Sequence, residues 1–232
     1  MQQPAQEKAG GFEELYPFLY TEHSDLATVL QEVRRSTEEK VREIMALRDC
    51  LGHELANRLS TCAQAMARAF RAQGKLLAFG NGGSSTDAQA LVQLCLHPPR
   101  GNGLRPAPTQ SRQPLPAFAL TNDTAVVTAL ANDVGFEVVF ARQIAAFGSP
   151  GDIAIGISTS GNSPNVMRAF DEAARRGLLT VGLAGSNGGA MAEAASVAHL
   201  FVVPSSSVHR IQEAQTTLYH VLWELTQEAL RG

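Results

Sequence analysis

The sequence lacks the features that would place the protein in a membrane or on nucleic acid. No apolar run reaches the roughly 18 residues that a transmembrane helix needs, and the N-terminus has no apolar segment of signal-peptide length. The net charge is −3 and there is no run of lysine and arginine, which argues against a nucleic-acid-binding surface. We therefore expect a soluble, cytoplasmic protein that contacts neither membrane nor nucleic acid directly.

Cysteine is scarce as well. The three cysteines, Cys50, Cys62 and Cys95, are odd in number and have no metal-type spacing, which is typical of reduced thiols. The other proportions, 44% hydrophobic and 18% charged residues, are those of an ordinary globular protein. A chain of 232 residues is long enough for a full core, so we expect one domain with a helical extension.

Two glycine- and serine-rich turns contain no lysine, which excludes a Walker-type phosphate loop at either of them. The first turn follows the apolar run 76–79, where Gly80, Gly82 and Gly83 allow a sharp turn and the close approach of a ligand. The hydroxyls at 84–86 then stand where a helix begins, beside the unpaired N–H groups of its first turn. This arrangement is typical of an anion site for phosphate, although a plain structural turn explains the same residues.

The second turn repeats this construction and favours the phosphate interpretation. An apolar strand at 153–157 runs into a hydroxyl cluster, and Pro164 is suitably placed for the first turn of a following helix. The cluster consists of Ser158, Thr159, Ser160 and Ser163 around Gly161. Both turns would open at the carboxyl ends of parallel strands, where open α/β sheets bind ligands. Together they predict one phosphate pocket built from neutral dipoles.

The hydrophobic periodicity predicts strands and helices in alternation, hence a parallel sheet wrapped on both faces. The expected strands are 76–79, 116–120, 153–157, 178–183 and 199–203. One helix is expected after each of the two turns, and further helices are expected at 121–130, 136–147, 190–195 and 206–230. Two amphipathic helices, 24–47 and 51–72, precede the first strand. They carry more apolar surface than one small sheet needs, so they either pack against another copy of the chain or cover their own sheet.

These elements divide the chain into a disordered N-terminus at 1–11, oligomerising helices at 12–73 and a ligand-binding domain at 74–232. The segment 97–114 is too rich in proline and glycine to be an element, and a loop of this length is a lid, an interface loop or disordered. Its arginines, Arg100, Arg105 and Arg112, either reach a phosphate or are solvated charges.

The motifs resemble those of the SIS (sugar isomerase) domain family, in particular the phosphoheptose isomerases and the DnaA-initiator-associating protein. The resemblance covers about residues 50–230 and rests on the segments 80–89, 132–135, 140–143, 151–152, 156–163 and 210–213. It implies a three-layer α/β sandwich with a five-stranded parallel sheet between helices. It also implies a homotetramer joined by the N-terminal and C-terminal helices, with active sites at subunit interfaces.

The resemblance also implies roles for individual residues. The phosphate of a sugar phosphate would be held at Gly82, Gly83, Ser84, Ser158, Thr159, Ser160 and Ser163, with Asn81 and Asp123 near the sugar. Gln212 and His220, on the last helix, match catalytic positions of the family. In the family a second histidine and a glutamate complete a zinc site with these two residues, and the glutamate and a histidine transfer the proton.

This chain departs from the family at those two positions. Ala90 replaces the histidine and Leu94 replaces the glutamate, while Pro98 replaces an arginine that usually follows. Zinc would retain only two protein donors, too few for a four-coordinate site, so we expect no cofactor. Isomerisation of a ketose phosphate needs a base that moves a proton between C1 and C2 through an enediol, and losing a general base typically slows a reaction by about 10²–10⁴-fold.

Other residues offer substitutes, each with a simpler explanation. His97 and His209 could form a relocated metal site with His220, or each is an ordinary surface or capping histidine. Glu213 is either a proton shuttle or the partner of Arg210 or Arg142 in a salt bridge. Asp123 binds sugar hydroxyls or caps its helix.

Two functional hypotheses follow. The first is an aldose–ketose isomerase of the phosphoheptose type, acting on sedoheptulose 7-phosphate or a related sugar phosphate with His220 as base. The second is a non-catalytic tetramer that binds a sugar phosphate or a protein partner, as the initiator-associating relative does. A transcriptional regulator with a sugar-phosphate effector domain fits less well, because the N-terminal helices lack a basic recognition helix.

Overall fold

The computed structural model describes residues 26–99 and 112–232. The chain divides into two compact units, Met1–Met45 and Ala46–Gly232. The described part of the first unit is the beginning of helix α1 (Leu26–Arg71), and the second unit contains all the strands. The disorder expected at 1–11 falls outside the described residues, as do Arg100 and Arg105 of the proline-rich loop.

Helix α1 is one continuous helix of 46 residues, so the expectation of two helices, 24–47 and 51–72, is wrong. The intervening residues, Arg48, Asp49 and Cys50, include no proline and impose no break. Gly52 is tolerated inside the helix, because an isolated helical glycine costs only about 1 kcal/mol relative to alanine. The predicted apolar face of the second half is confirmed, since Leu55, Leu59, Cys62, Met66 and Phe70 are all buried.

Within the described residues, five parallel strands form one sheet, which confirms the predicted α/β sandwich. They are β1 (Leu76–Gly80), β2 (Ala117–Ala119), β3 (Ile153–Ser158), β4 (Leu179–Gly185) and β5 (His199–Val203). The strand order is β2-β1-β3-β4-β5, so the strands that precede the two predicted phosphate turns, β1 and β3, are direct neighbours. Their carboxyl ends therefore meet at one edge of the sheet.

The remaining helices follow the predicted alternation. They are α2 (Gly83–Leu96), α3 (Thr124–Asp133), α4 (Val139–Phe147), α5 (Pro164–Arg175), α6 (Gly189–Glu193) and α7 (Val208–Arg231). The helix expected over 136–147 begins instead with a 3₁₀ turn, Phe136–Val138, because Gly135 enters it with φ 123° and the Val138 N–H bonds back to the Gly135 carbonyl. Within the described residues, no helix combines the length and apolarity needed to cross a membrane.

The two faces of the sheet carry different helices. On β3, Ala154 belongs to an apolar cluster with residues of α4 and α5, whereas Ile155 lines a small cavity with residues of α1, α2 and α7. Adjacent residues of a strand point to opposite faces, so the sheet lies between two helical layers. Burial raises the pKa of Cys62 and of Cys95, on the second of these layers, to about 12, which makes both thiols unreactive.

A glycine on β3 sets the packing of the α5 layer. Phe79 packs against Phe170 with ring centroids 5.4 Å apart, in an edge-on arrangement. A Cβ at Gly156 would lie 2.5 Å from Phe170 Cζ and 2.8 Å from Phe79 Cε2. Two rigid rings therefore occupy the space that a side chain at this position would need.

We predict that Gly156→Ala destabilises the protein by about 1–3 kcal/mol, because the new methyl group overpacks a core that has no room for it. Gly52→Ala is the matched control, since nothing lies within 4 Å of its added Cβ. In a helix this second change should stabilise by about 0.5–1 kcal/mol. Urea unfolding measures both free energies, and an unchanged or higher value for Gly156→Ala would contradict the packing described.

Candidate functional site

The two predicted turns lie side by side at the carboxyl edge of the sheet. Gly80, at the end of β1, pairs with Ile157 of β3, so the residues that follow each strand are adjacent. A pair of side-chain amides ties the turns together: Asn81 Nδ2 donates to Asn165 Oδ1 and Asn165 Nδ2 donates to Asn81 Oδ1, both at 2.8 Å. The sequence analysis missed Asn165, whose only signal is an amide in the first turn of a helix after the serine turn.

The glycine turn differs from expectation in its donors. Gly82 has φ 52° and precedes α2 without a side-chain cap. The N–H groups of Ser84 and Ser85 are not unpaired, because they bond to the Asn81 and Gly82 carbonyls at 3.0 Å. The Thr86 hydroxyl donates to the Gly83 carbonyl at 2.6 Å, which leaves the hydroxyls of the buried Ser84 and the half-buried Ser85 as the candidates for a ligand here.

The serine turn brings three of its predicted hydroxyls together. Ser158 Oγ lies 3.0 Å from Ser163 Oγ and 3.4 Å from Ser160 Oγ. Backbone N–H groups approach the same oxygens: Gly161 N donates to Ser158 Oγ and Asn162 N donates to Ser160 Oγ, both at 3.2 Å. The cluster contains neither a carboxylate nor a cation, as the neutral-dipole prediction requires.

The serine turn is fixed in place by its contact with α6. Gly161 has φ 67°, and an added Cβ there would overlap the Gly188 carbonyl. The Ala190 N–H donates to Asn162 Oδ1 at 2.8 Å, and the Met191 N–H donates to the Gly161 carbonyl at 3.1 Å. These contacts hold the hydroxyls in position before any ligand binds.

Helices α2 and α7 run side by side next to the pocket. At the N-terminal end of α2, the Gln212 side-chain amide fills the space beside Gly83, where an added Cβ would overlap it. One turn further along both helices, Thr216 Oγ1 donates to Asp87 Oδ1 at 3.4 Å. These two contacts fix a parallel register, four residues on α2 against four on α7.

The same register locates the two departures from the family. Ala90 is three positions after Asp87 and His220 is four positions after Thr216, so both belong to the next turn of their helices, and Leu94 belongs to the turn after that. Leu91 and Cys95 line one small cavity with Tyr219 and Trp223, so the two helices still lie against each other at this level. The two departures from the family are therefore on the part of α2 that runs alongside the His220 end of α7.

His220 itself is exposed, and its ring stacks on Tyr219 with centroids 5.1 Å apart. Desolvation of the ring lowers the pKa of His220, and the nearby Glu224 carboxylate partly opposes this. The imidazole is therefore neutral at pH 7, the form that accepts a proton.

The neighbours of His220 on α7 contact Arg112. Arg112 Nη2 lies 3.6 Å from Glu224 Oε1, and the Arg112 guanidinium carbon lies 4.6 Å from the centroid of the Trp223 ring. Gln212 is eight positions before His220, about 12 Å along the helix axis.

The donors present do not fit the zinc site that the family implies. Gln212 and His220 are the two donors that remain, and Ala90 and Leu94 offer none. Across residues 26–99 and 112–232, no three His, Cys, Asp or Glu side chains are grouped as a metal site, so His97, His209 and His220 do not form the relocated one.

Three candidate site residues have structural partners. Asp123 caps α3, where its carboxylate accepts a hydrogen bond from the Val126 N–H at 3.0 Å. Glu213 forms an ion pair with Arg210 at 2.6 Å, which matches the simpler explanation given above. The side-chain amide of Asn81 is hydrogen-bonded to that of Asn165. The hydroxyl cluster is therefore the part of the predicted set that the fold concentrates in one place.

Asp87, to which the sequence analysis assigned no role, lies one turn from the contact between Gly83 and Gln212. It stands one turn after Gly83 and is half-buried between α2 and α7. Burial raises the pKa of Asp87 above its ordinary value, and the hydrogen bond from Thr216 partly offsets this. Carboxyl groups whose charged form is disfavoured by burial are common at functional sites.

We predict that Asp87→Asn stabilises the protein at pH 7, because the amide keeps the contact with Thr216 without a desolvated charge. The pKa of Asp87 is higher folded than unfolded, so its contribution to stability is fully present below the ordinary value of 3.8 and is lost as pH rises through the raised value. The difference between variant and wild type should therefore shrink as pH falls.

Thermal unfolding between pH 3 and pH 8 measures this dependence. Asp123→Asn is the matched control, since asparagine caps helices as well as aspartate does, and its effect should be near zero. A destabilised Asp87→Asn at pH 7 would mean that the charged form makes a favourable contact that this account omits.

Comparison with known proteins agrees with this geometry. The SIS domain family profile matches residues 41–185. The phosphoheptose isomerase of Aquifex aeolicus is 40% identical over 200 residues, covering 86% of this chain and 97% of that protein, and the one from Pelodictyon phaeoclathratiforme is 42% identical over 201 residues, covering 85% and 92%. The structure of phosphoheptose isomerase from Neisseria gonorrhoeae superposes with a TM-score of 0.73 at 32% identity, covering 84% of this chain and 99% of that one. The chain therefore belongs to the SIS domain family, and most of its length is similar to phosphoheptose isomerases.

Proposed function

We propose that the protein binds a sugar phosphate of the class on which phosphoheptose isomerases act, sedoheptulose 7-phosphate or a close relative. The observation that carries this proposal is the cluster of Ser158, Ser160 and Ser163 hydroxyls, with Ser84 on the neighbouring turn. Hydroxyl and backbone donors are the groups that hold a phosphate where no lysine or arginine is present. The similarity to curated phosphoheptose isomerases supports the sugar phosphate as the ligand class.

The proposed binding mode follows from the positions of the two turns. The phosphate oxygens accept hydrogen bonds from the serine hydroxyls, which rotate from their mutual contacts toward the ligand. The rest of the sugar then extends along the groove between α2 and α7, past Gln212 and toward His220. Because the phosphate donors are neutral, the pocket selects a phosphate by its shape and its hydrogen bonds.

The proton-transfer end of the pocket is the part that lacks family groups. Ala90 and Leu94 can neither take up nor deliver a proton, so an enediol route would have only His220 as a base beside it. Loss of one general base corresponds to about 10²–10⁴-fold in rate. The function that the geometry supports best is therefore sugar-phosphate binding, with isomerisation far below the rate that a complete site would give.

Isomerase activity is the second candidate, favoured by one observation. His220 is retained with a lowered pKa, and a neutral imidazole at pH 7 is suited to accept the proton. In this case Asp87, one turn away along the groove, is the nearest carboxyl of α2 that could serve as the second group.

Proton exchange in deuterated water distinguishes the two candidates. Wild-type protein, His220→Ala and the double variant Ala90→His/Leu94→Glu are each incubated with sedoheptulose 7-phosphate, and NMR follows deuterium at the carbon-bound positions. We expect no exchange by the wild type, a higher melting temperature with the sugar phosphate, and measurable exchange by the double variant. Ala90→His alone is the control, because it restores no carboxylate.

Exchange by the wild type that His220→Ala abolishes would establish the isomerase instead. Absence of both exchange and thermal protection would contradict the binding proposal itself.

The proposal includes a homotetramer joined through the N-terminal helix. In the unit that contains residues 26–45, the exposed side chains Leu26, Leu30, Val33, Val41 and Met45 recur at helical spacing on one side of α1. An apolar stripe of this kind on a helix is typical of a surface that another copy covers. This stripe supports an oligomerising role for the N-terminal helix.

Leu30→Glu should dissociate the oligomer, because it places a charge in the stripe and removes an apolar contact worth about 1.5–3 kcal/mol per copy. Thr28→Glu is the matched control, with the same new charge on the opposite side of the same helical turn. Light scattering after size-exclusion chromatography reports the mass in multiples of the 24.7 kDa chain. A wild-type monomer, or a Leu30→Glu protein with unchanged mass, would contradict this part of the proposal.

A further inference from the structure

A second concave site lies away from the serine turns, between the middle of α1 and the start of β5. It is a cleft of about 220 Å³ with Asn57, Arg58 and Thr61 on the helix side and residues 198–201 on the strand side. β5 is an edge strand, and Arg58 of α1 donates to its Leu200 carbonyl.

The cleft is set apart from the sugar-phosphate pocket by the sheet register. His199 is the first residue of β5 and pairs with Val181, which pairs in turn with Ile155. Ser158 is three residues beyond Ile155 toward the carboxyl edge and two strands away. The backbones of His199 and Ser158 are therefore on the order of 14 Å apart.

Arg58 is held in a defined position in this cleft. Its guanidinium carbon lies 5.7 Å from the centroid of the Phe201 ring, and Nη2 donates to the Leu200 carbonyl. These two contacts reduce the side-chain entropy that a long cation loses when it binds a ligand. The remaining donors of the guanidinium fork stay available beside the cleft.

The charge around the cleft is positive and unbalanced. The lining residues include no carboxylate. Among the described residues neither Arg58 nor Arg68 has an acidic group within ion-pair distance, although most other arginines of α1 and α5 pair with a neighbouring glutamate. Burial, followed by the fields of Arg58 and Arg68, lowers the pKa of His199. Arg58 and Arg68 thus place positive charge near His199, and no carboxylate is among the residues that line the cleft.

We propose that this cleft binds a phosphate group, either as free phosphate or as the ester of a small molecule. The fork of Arg58 offers paired N–H donors that match two phosphate oxygens. Asn57 adds a side-chain amide and His199 a ring N–H, while the Thr61 hydroxyl lines the cleft and donates to the Asn57 carbonyl at 2.9 Å. The volume of the cleft accommodates a phosphate with its first waters. This site is independent of the serine turns and does not rest on the function proposed for them.

NMR of the full chain tests the proposal through the ring signal of His199, which His199→Gln assigns. Inorganic phosphate is titrated at constant ionic strength maintained with sodium chloride, and glycerol 2-phosphate is the ester arm. We expect a saturable shift of the His199 signal and a higher His199 pKa at saturation, because a bound anion stabilises the imidazolium. Saturation by both ligands would indicate an ester site, and saturation by phosphate alone would indicate a site for the free ion.

The variants separate a built site from general screening. Arg58→Gln should weaken binding by about tenfold or more, since it removes a charge-assisted contact. Arg68→Gln, an exposed change that leaves the β5 edge untouched, should weaken it less. Arg35→Gln is the control on the same helix and should change nothing. Ser163→Ala should leave the His199 response intact, which distinguishes this site from the sugar-phosphate pocket.

Three outcomes would overturn the proposal. They are a His199 shift that rises linearly without saturation, one that sodium chloride reproduces, and one that survives both Arg58→Gln and Arg68→Gln. A His199 signal that phosphate does not move because an acidic segment of another chain occupies the cleft would overturn it equally.

Discussion

The adjacency of β1 and β3 in a parallel sheet is the constraint on which the candidate site depends. Each strand ends in a turn of small residues, and only because the strands are neighbours do the two turns share one edge. The Asn81–Asn165 amide pair then locks the turns to each other, and Gly161 lets the serine turn pack closely on α6. The result is a set of neutral hydroxyl donors positioned by backbone geometry, and the proposed phosphate binding rests on it.

The two ends of the proposed site carry different chemistry. At the end proposed for the phosphate the groups are polar, from the serine cluster after β3 to the Gln212 amide at Gly83. At the His220 end of α7, Ala90 and Leu94 of α2 supply neither metal donors nor a proton-transfer group. The proposed phosphate donors and the positions of the missing family groups lie on different elements, so loss of the second set leaves the first in place. The half-buried carboxyl of Asp87 lies between the two ends.

Most of the fold could be predicted because its signals are local and strong. The apolar runs of β1, β3 and β5 and the Asp123 cap follow from periodicity and capping chemistry, and the structure places them within a few residues of the predicted limits. The continuous α1 could not be foreseen, since the length of a helix through Gly52 depends on tertiary packing. Among site residues, the hydroxyl cluster was visible in the sequence, whereas Asn165 and Asp87 were not. Their roles arise from contacts with residues 84 and 129 positions away, which no local pattern encodes.

The central claim is that the two turns recognise the phosphate of a sugar phosphate through neutral donors. Isothermal titration of the wild-type protein with sedoheptulose 7-phosphate and with unphosphorylated sedoheptulose, each at low and high salt, tests it most directly. The account predicts binding of the phosphorylated sugar alone, with an affinity that changes little with salt because no arginine or lysine provides the contact. Equal affinity for the two sugars, or loss of phosphate-dependent binding at high salt, would contradict it.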